Sequence, residues 1–279
     1  MAAEVRQRLV NGDYDSMAEG EEFADTVTEH LRSIGHDLHL RLFYGPSRPP
    51  LKDETPTEIL GQLRRMNFGF GKIDRLEGNV TRLPVHGFVH LDEDVRSEIR
   101  EGVGEVMSQV ADADALLLDL RENGGGDPAT VALVDSYLFD SEPVHLNDMY
   151  HRKDNSMTEY WTSPDVPGTR FGGHKPIYVL ISNETCSGGE ELAYDLQFLK
   201  RATLIGETTG GGENPAEGHD LDDWFHISIP FGRPINPVTK TNWEVVGVVP
   251  DIPAPASEAL EHGRRRAVED ILSTRTPMP

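Results

Sequence analysis

The chain of 279 residues is short of three things: it has one cysteine, 6 lysines among its 26 basic residues, and no uninterrupted apolar run of membrane-spanning length. Cys186 alone cannot close an internal disulfide, and there is no cysteine cluster to hold a metal. With 48 acidic residues the formal net charge is −22. The phosphate-neutralising charge that nucleic acid or an anionic membrane surface needs is absent, so neither is expected as a partner. The acidity fits adaptation to high salt, where like-charge repulsion is screened, or an ordinary acidic protein, and composition does not choose between them. It favours neutral or basic substrates through steering. No segment approaches the ~20 apolar residues of a membrane helix, so no membrane insertion is expected. The opening residues MAAEVRQRLVNGDYD are charged throughout and lack the apolar core of a signal peptide, so the expectation is a cytoplasmic protein or one whose leader lies outside these residues. No His-Glu-x-x-His occurs, and no glycine turn ends in Gly-Lys-Ser/Thr, so neither a zinc site nor a phosphate loop is announced and no cofactor is expected.

Apolar periodicity predicts helix over residues 1 to about 35, clearest from Met17 to Ile34, with Gly35 as the stop. Leu40, Leu42 and Tyr44 alternate as in a short strand. Residues 45–60, with Pro46, Pro49, Pro50 and Pro56, read as a linker or exposed loop. From Gly69 the pattern becomes α/β. Strands are expected at Ile73–Leu76 and Val80–Phe88, and a helix at Asp92–Val110. A strand buried on both faces follows at Ala115–Leu120. Asp127 and Pro128 then open a helix to about Phe139. Residues 140–175 give one strand, His145–His151, and a polar excursion. Further strands are expected at Ile177–Ile181, Ala202–Gly206, Asp223–Pro230 and Val245–Val249, with helices at Gly188–Lys200 and Ser257–Leu272. Alternating strands and helices imply a largely parallel sheet covered by helices. The expected division is a helical segment and linker over 1–68 and an α/β core over 69–279.

Three polar, glycine-rich turns follow three buried strands, at 121–126, 183–189 and 207–212. In a parallel sheet such turns gather at the carboxyl edge, where ligands bind. Ser187 lies in the second, where a strand's carboxyl end meets a helix's amino end. That position exposes a side chain and presents free N–H groups. Local pattern leaves two roles open for Ser187, helix cap or nucleophile. It is not the Gly-x-Ser-x-Gly elbow, since Thr185 holds the first glycine position. Cys186 beside it is a conceivable thiol nucleophile or a small buried residue. Glu190 and Glu191 read as complements to the helix dipole.

Asp119-Leu120-Arg121-Glu122-Asn123-Gly124-Gly125-Gly126 resembles a hallmark of the carboxyl-terminal-processing, or tail-specific, serine peptidases. So do Thr185-Cys186-Ser187-Gly188-Gly189-Glu190, Gly206–Gly212 and Pro230-Phe231-Gly232-Arg233. Asn236-Pro237, Asn242-Trp243-Glu244 and Gly247–Ile252 resemble the branch shared by interphotoreceptor retinoid-binding protein modules. The likeness covers about residues 36–260. It implies a crotonase/ClpP-like (ββα-type) core with a small N-terminal helical segment, acting on peptide or protein. Tail-specific proteases use a Ser–Lys dyad whose Lys sits in the glycine turn after the nucleophile's helix; here that turn is Gly210-Gly211-Gly212-Glu213. The retinoid-binding-protein-like and tricorn branches use a His near the start and a Glu near the end. The resemblance therefore implies Ser187 as nucleophile, His39 as base (His36 is the rival) and Glu244 as the orienting residue. Leu38 stands where tricorn has a Ser. Residues 45–70 are too few for the family's PDZ domain. Backbone N–H groups of Gly188 and of the Gly124–Gly126 turn, Gly125 foremost, would form the oxyanion hole. The branch also implies an alternative, a non-catalytic module binding an apolar, retinoid-like ligand. An acyl-CoA enzyme on the same core would need no hydroxyl at Ser187 and would want a basic cluster that the chain lacks. The N-terminal helices offer a lid or a homo-oligomer contact.

Overall fold

A computed structural model describes residues 1–46 and 55–275. Helices α1 (Ala2–Val10) and α2 (Gly20–Gly35) open the chain, and His36 caps α2 with left-handed dihedrals, φ 52° and ψ 45°. Strand β1 (Arg41–Tyr44) follows. It lies against α2, where Thr28 Oγ1 accepts the Leu42 N–H at 3.0 Å. Helix α3 (Pro56–Arg65) occupies part of the expected linker. Thr55 and Glu58 form a capping box around its start, with Pro56 in the first turn. Proline there has no N–H to lose and a helical φ already set, so what read as a breaker is an initiator. Pro49 and Pro50 of the expected linker lie outside the described residues.

Strand β2 (Asp74–Leu76) turns back into β3 (Val80–Pro84). Helix α4 (Arg96–Val110), β4 (Ala115–Asp119) and α5 (Pro128–Leu138) come next. A hairpin of β5 (His145–His151) and β6 (Ser156–Trp161) precedes β7 (Ile177–Ile181), α6 (Gly188–Phe198) and β8 (Thr203–Gly206). Then come β9 (Ala216–Asp220), β10 (Phe225–Pro230), β11 (Gly232–Ile235), β12 (Ile252–Pro253) and α7 (Ala256–Arg275).

The central sheet runs β12-β8-β7-β4-β3-β2, parallel except for β2 at its edge. Its strands are apolar on both faces because helices cover both. Leu116, Leu118, Ile177 and Val179 join the cluster that holds Val103, Val134 and Leu192 of α4, α5 and α6. Ala115, Leu117, Tyr178 and Leu180 join the cluster with Ala259, Ala267 and Ile271 of α7. This period-two division of one strand between two cores is what a continuous apolar run encodes. Beside this α/β body, one three-stranded sheet orders β1-β10-β9 and another β11-β5-β6. The strand at the start of the chain thus pairs, antiparallel, with one near its end.

Two expectations fail here. Val245–Val249 is not a strand: Val245, Val246 and Val249 are 54%, 68% and 60% exposed, and only Val248 joins Trp243 in the core. Val245 and Gly247 take positive φ, 68° and 71°, which breaks any ladder. The excursion at 140–175 contains β6, whose residues are mostly exposed and carry no apolar alternation.

Candidate active site

The three glycine turns meet at the carboxyl edge of the sheet. The Cys186 N–H donates to Asn123 O at 3.0 Å, the Gly210 N–H to Thr185 O at 3.0 Å and the Ser187 N–H to Gly212 O at 3.0 Å. Asn123 is fully buried and ties the first turn together. Its side chain donates to Val85 O at 2.8 Å and accepts the Gly125 N–H at 2.8 Å. Below it Arg121 grips Asp119 through two hydrogen bonds of 2.8 and 2.7 Å.

Ser187 stands between β7 and α6 with φ 52° and ψ −122°. A non-glycine residue there costs about 1–3 kcal/mol of backbone strain. A Cβ at Gly125 would lie 2.6 Å from Ser187 Cβ and 3.0 Å from Oγ, so the first turn presses on the hydroxyl and only glycine fits. The N–H groups of Gly188 and Gly126 have no acceptor among the described residues. A Cβ at Gly188 would come 3.1 Å from Gly126 N, so the two groups are neighbours. Of the expected donors, Gly188 keeps its N–H free, whereas the Gly125 N–H is taken by Asn123 and the Gly124 N–H by His86 O at 3.2 Å.

Glu190 does more than complement a dipole. Fully buried, it accepts the N–H groups of Ser187, Gly211 and Gly212 at 2.9, 2.7 and 3.0 Å, and the Thr209 hydroxyl. Burial raises its carboxyl pKa while these donors oppose the shift. One carboxylate therefore joins the Ser187 turn to the 209–212 turn. The Ser187-x-x-Glu190 spacing, that of a capping box, was the signal available in sequence.

His39 approaches from the N-terminal segment. A Cβ at Gly212 would lie 3.2 Å from His39 Cε1, 3.7 Å from Nε2 and 3.0 Å from Cys186 Sγ. The imidazole thus fills the space a side chain at 212 would need, beside the carbonyl that anchors the Ser187 N–H. No hydrogen bond joins Ser187 Oγ to His39, a separation common in unliganded sites. His39 Nδ1 is buried without a partner. His36, the rival, is exposed at the end of α2. Glu244 Oε1 accepts the Leu38 N–H at 2.9 Å, and Oε2 accepts those of Glu213 and Asn214 at 2.8 and 3.2 Å. Asp37 accepts the His39 N–H at 2.9 Å and the Asn214 amide at 2.7 Å. Asp37, His39 and Glu244 each place a polar atom within 4.8 Å of the others. The five N–H donors on the two carboxylates mark this group as a hydrogen-bonded charge cluster. Burial, then the Glu190 charge, pushes the Cys186 thiol up, which leaves it protonated and a poor rival to Ser187.

A cleft of about 400 Å³ opens beside Gly125, walled by Met66, His86, Phe88 and Val89. Its surface is mostly apolar.

A model of peptidase family S41 matches residues 82–254, more than half of the chain. The chain belongs to this family. The matched residues carry Ser187, Glu244 and all three glycine turns, while the segment bearing His39 lies outside them. Carboxyl-terminal-processing peptidase 2, chloroplastic, of Arabidopsis thaliana is 27% identical over 190 residues, 67% of this chain and 35% of that protein. The tail-specific protease of Haemophilus influenzae is 28% identical over 207 residues, 70% of this chain and 27% of that protein. The chain spans about a quarter to a third of the length of these relatives. In fold, it resembles a lipoprotein from Streptococcus agalactiae at a TM-score of 0.60 and 17% identity, over 95% of this chain and 88% of the other. It resembles mature CPAF at 0.55 and 14%, over 75% and 55%. Among the described residues no helix is long and apolar enough to cross a membrane.

Proposed function

We propose that the chain is a serine peptidase that cleaves peptide bonds through an acyl-enzyme on Ser187. The observation that carries the reading is the strained Ser187, with Gly125 against its hydroxyl and two unclaimed N–H groups beside it. His39 takes the hydroxyl proton. The oxygen attacks the peptide carbonyl, and the N–H groups of Gly188 and Gly126 hold the oxyanion. His39 returns the proton to the leaving amine, and water then releases the acyl group by the same steps. Asp37 and Glu244 stabilise the imidazolium formed on the way. Where a Ser–Lys enzyme would carry its base on the 210–213 turn, this chain has Gly212, and the imidazole occupies that space.

The apolar cleft beside Gly125 suits an apolar substrate side chain next to the scissile bond. We read the core as of crotonase/ClpP type, supported by the parallel sheet whose successive strand-to-helix turns present the oxyanion donors.

The test is a serine-reactive fluorophosphonate followed by peptide mapping. One adduct at Ser187, lost in Ser187→Ala together with peptide cleavage, is expected. A folded protein that takes no adduct, and whose Ser187→Ala variant leaves peptide-library turnover unchanged, overturns the reading. A module that merely binds an apolar ligand would tolerate Ser187→Ala and has no use for strain at that residue.

A further inference from the structure

The steps above leave Glu213 unused. It follows the glycine turn that anchors Ser187, and it is 4% exposed. Its Oε2 accepts the Glu244 N–H at 3.0 Å, while Glu244 Oε2 accepts the Glu213 N–H at 2.8 Å. Two acidic side chains thus hold each other's backbone. Glu213 Oε1 is buried with no partner. Among the described residues, the polar and charged groups facing Glu213 are Glu244 and Asn242 from the adjoining turn and Glu191 and Tyr194 from α6, with no cation to answer it.

The residue after Glu244 gives an independent reason for the arrangement. Val245 has φ 68°, a strained conformation for a β-branched side chain. Its N–H donates to Gly211 O at 2.8 Å, which closes the same two turns on one another. Strain of this kind persists only where surrounding contacts over-determine it.

We propose that Glu213 is a positioning residue: with Glu244 it forms a two-carboxyl clasp that locks the 211–214 turn onto the 242–245 turn and fixes the Glu244 carboxylate beside His39. The proposal rests on the serine-peptidase reading of the site. Its chemistry is that of a carboxylic acid kept neutral. Two carboxylates cannot share so dry a place without one taking up a proton. Burial above all, with the Glu244 charge adding to it, pushes Glu213 up to about 9. Glu244 is the better supplied of the two, with three N–H donors on its carboxyl oxygens. Loss of the Glu213 proton would set two negative charges against each other and open the clasp.

The experiment compares pH–rate profiles of wild type, Glu213→Gln and Glu213→Ala on one peptide substrate, with fluorophosphonate labelling of Ser187 and histidine NMR alongside. Wild-type kcat should fall as pH rises through about 9. The amide of Glu213→Gln mimics the neutral acid, so it should retain most of kcat at pH 7 and lose that alkaline fall. Glu213→Ala should lose about 10- to 100-fold in kcat with KM little changed, as expected for a misplaced base. A Glu213→Gln profile identical to wild type overturns the clasp, and so does a Glu213→Gln enzyme inactive at every pH. If wild-type Ser187 takes no label, the peptidase reading fails by itself. The clasp is then judged by the His39 resonances, which should move in Glu213→Ala and hold in Glu213→Gln, and unmoved resonances in Glu213→Ala overturn it.

Discussion

Ser187 stands on a turn tied at every side to buried strands, whereas His39 reaches the same place on a segment whose hold on the core is of a different kind. Around Ser187, Asn123, Glu190 and the Gly212 carbonyl join three turns of one sheet, all close-packed. Around His39 the links are the Leu38 N–H on Glu244, the Asn214 amide on Asp37 and the pairing of β1 with β10. The geometry of Ser187 is thus a property of the sheet edge. The geometry of His39 is a property of docking. Damage to the first should remove chemistry and stability together. Damage to the second should remove chemistry and leave the fold.

Gly125→Ala should do the most. Its Cβ would overlap Ser187, and φ at 125 is 100°, so no small shift relieves it. Cleavage should fall by on the order of 10³-fold or more as the oxyanion site distorts, with a clear drop in melting temperature. His39→Ala should cost about 10²–10⁴-fold in acylation, the range of a general base, with the melting temperature nearly unchanged. If His39→Ala instead unfolds the protein, the contrast between the two halves is broken. Asn214→Ala removes one tie from the docked segment and should cost about tenfold or less in kcat, a small positional loss. Hydrogen exchange sharpens the same point: the Leu38 N–H should exchange far faster than the Ser187 N–H, because local opening is easiest where buried contacts are few.

The smallest effect is a slope. Glu213 titrates at about 9 and Glu191 at about 7, both raised chiefly by burial from the ordinary 4.5. Asp135 and Asp195, also buried, are raised for the same first reason. The folded chain holds protons that the unfolded chain releases near pH 4.5, so stability from these groups is complete below that pH and is lost as pH rises through the folded values. Each such group contributes at most ~1.4 kcal/mol per pH unit across its window. The melting temperature of Glu213→Gln should therefore fall less steeply than wild type between pH 6 and about 9. Equal slopes would show that Glu213 is ionised in the fold.

The parts of this fold that were legible in sequence are those where one local rule suffices. Ala115–Leu120 and Ile177–Ile181 had to be buried strands, because helices cover both faces of the sheet. The glycine turns had to gather at one edge, because parallel strands place them there. Legibility failed where a residue's meaning depends on a distant partner. Pro56, read as a breaker, is the exception, since the Thr55-x-x-Glu58 capping box around it is local and was there to be read. Strand β9, Ala216–Asp220, carries no apolar alternation and exists because β10 pairs with it. The valines at 245, 246 and 249 suggest a strand until Gly211 claims the Val245 N–H. At the site, the glycine pattern pointed to oxyanion donors, but the choice among them turns on the Asn123 side chain, which claims one. Glu190 and Glu213 sit in plain acidic positions, and only their burial against specific N–H groups gives them weight.

The pairing of β1 with β10 also orders events in time. A ribosome reads out the segment bearing His39 first, then Ser187, then the strand and the Glu244 that receive it. Until residues 225–244 have emerged, the segment bearing His39 lacks both the strand it pairs with and the carboxylate that takes the Leu38 N–H. Contacts of such long sequence separation are slow to form, because closing the intervening loop costs entropy first. The proposed site is therefore assembled only once the segments that flank Ser187 on both sides in sequence are in place.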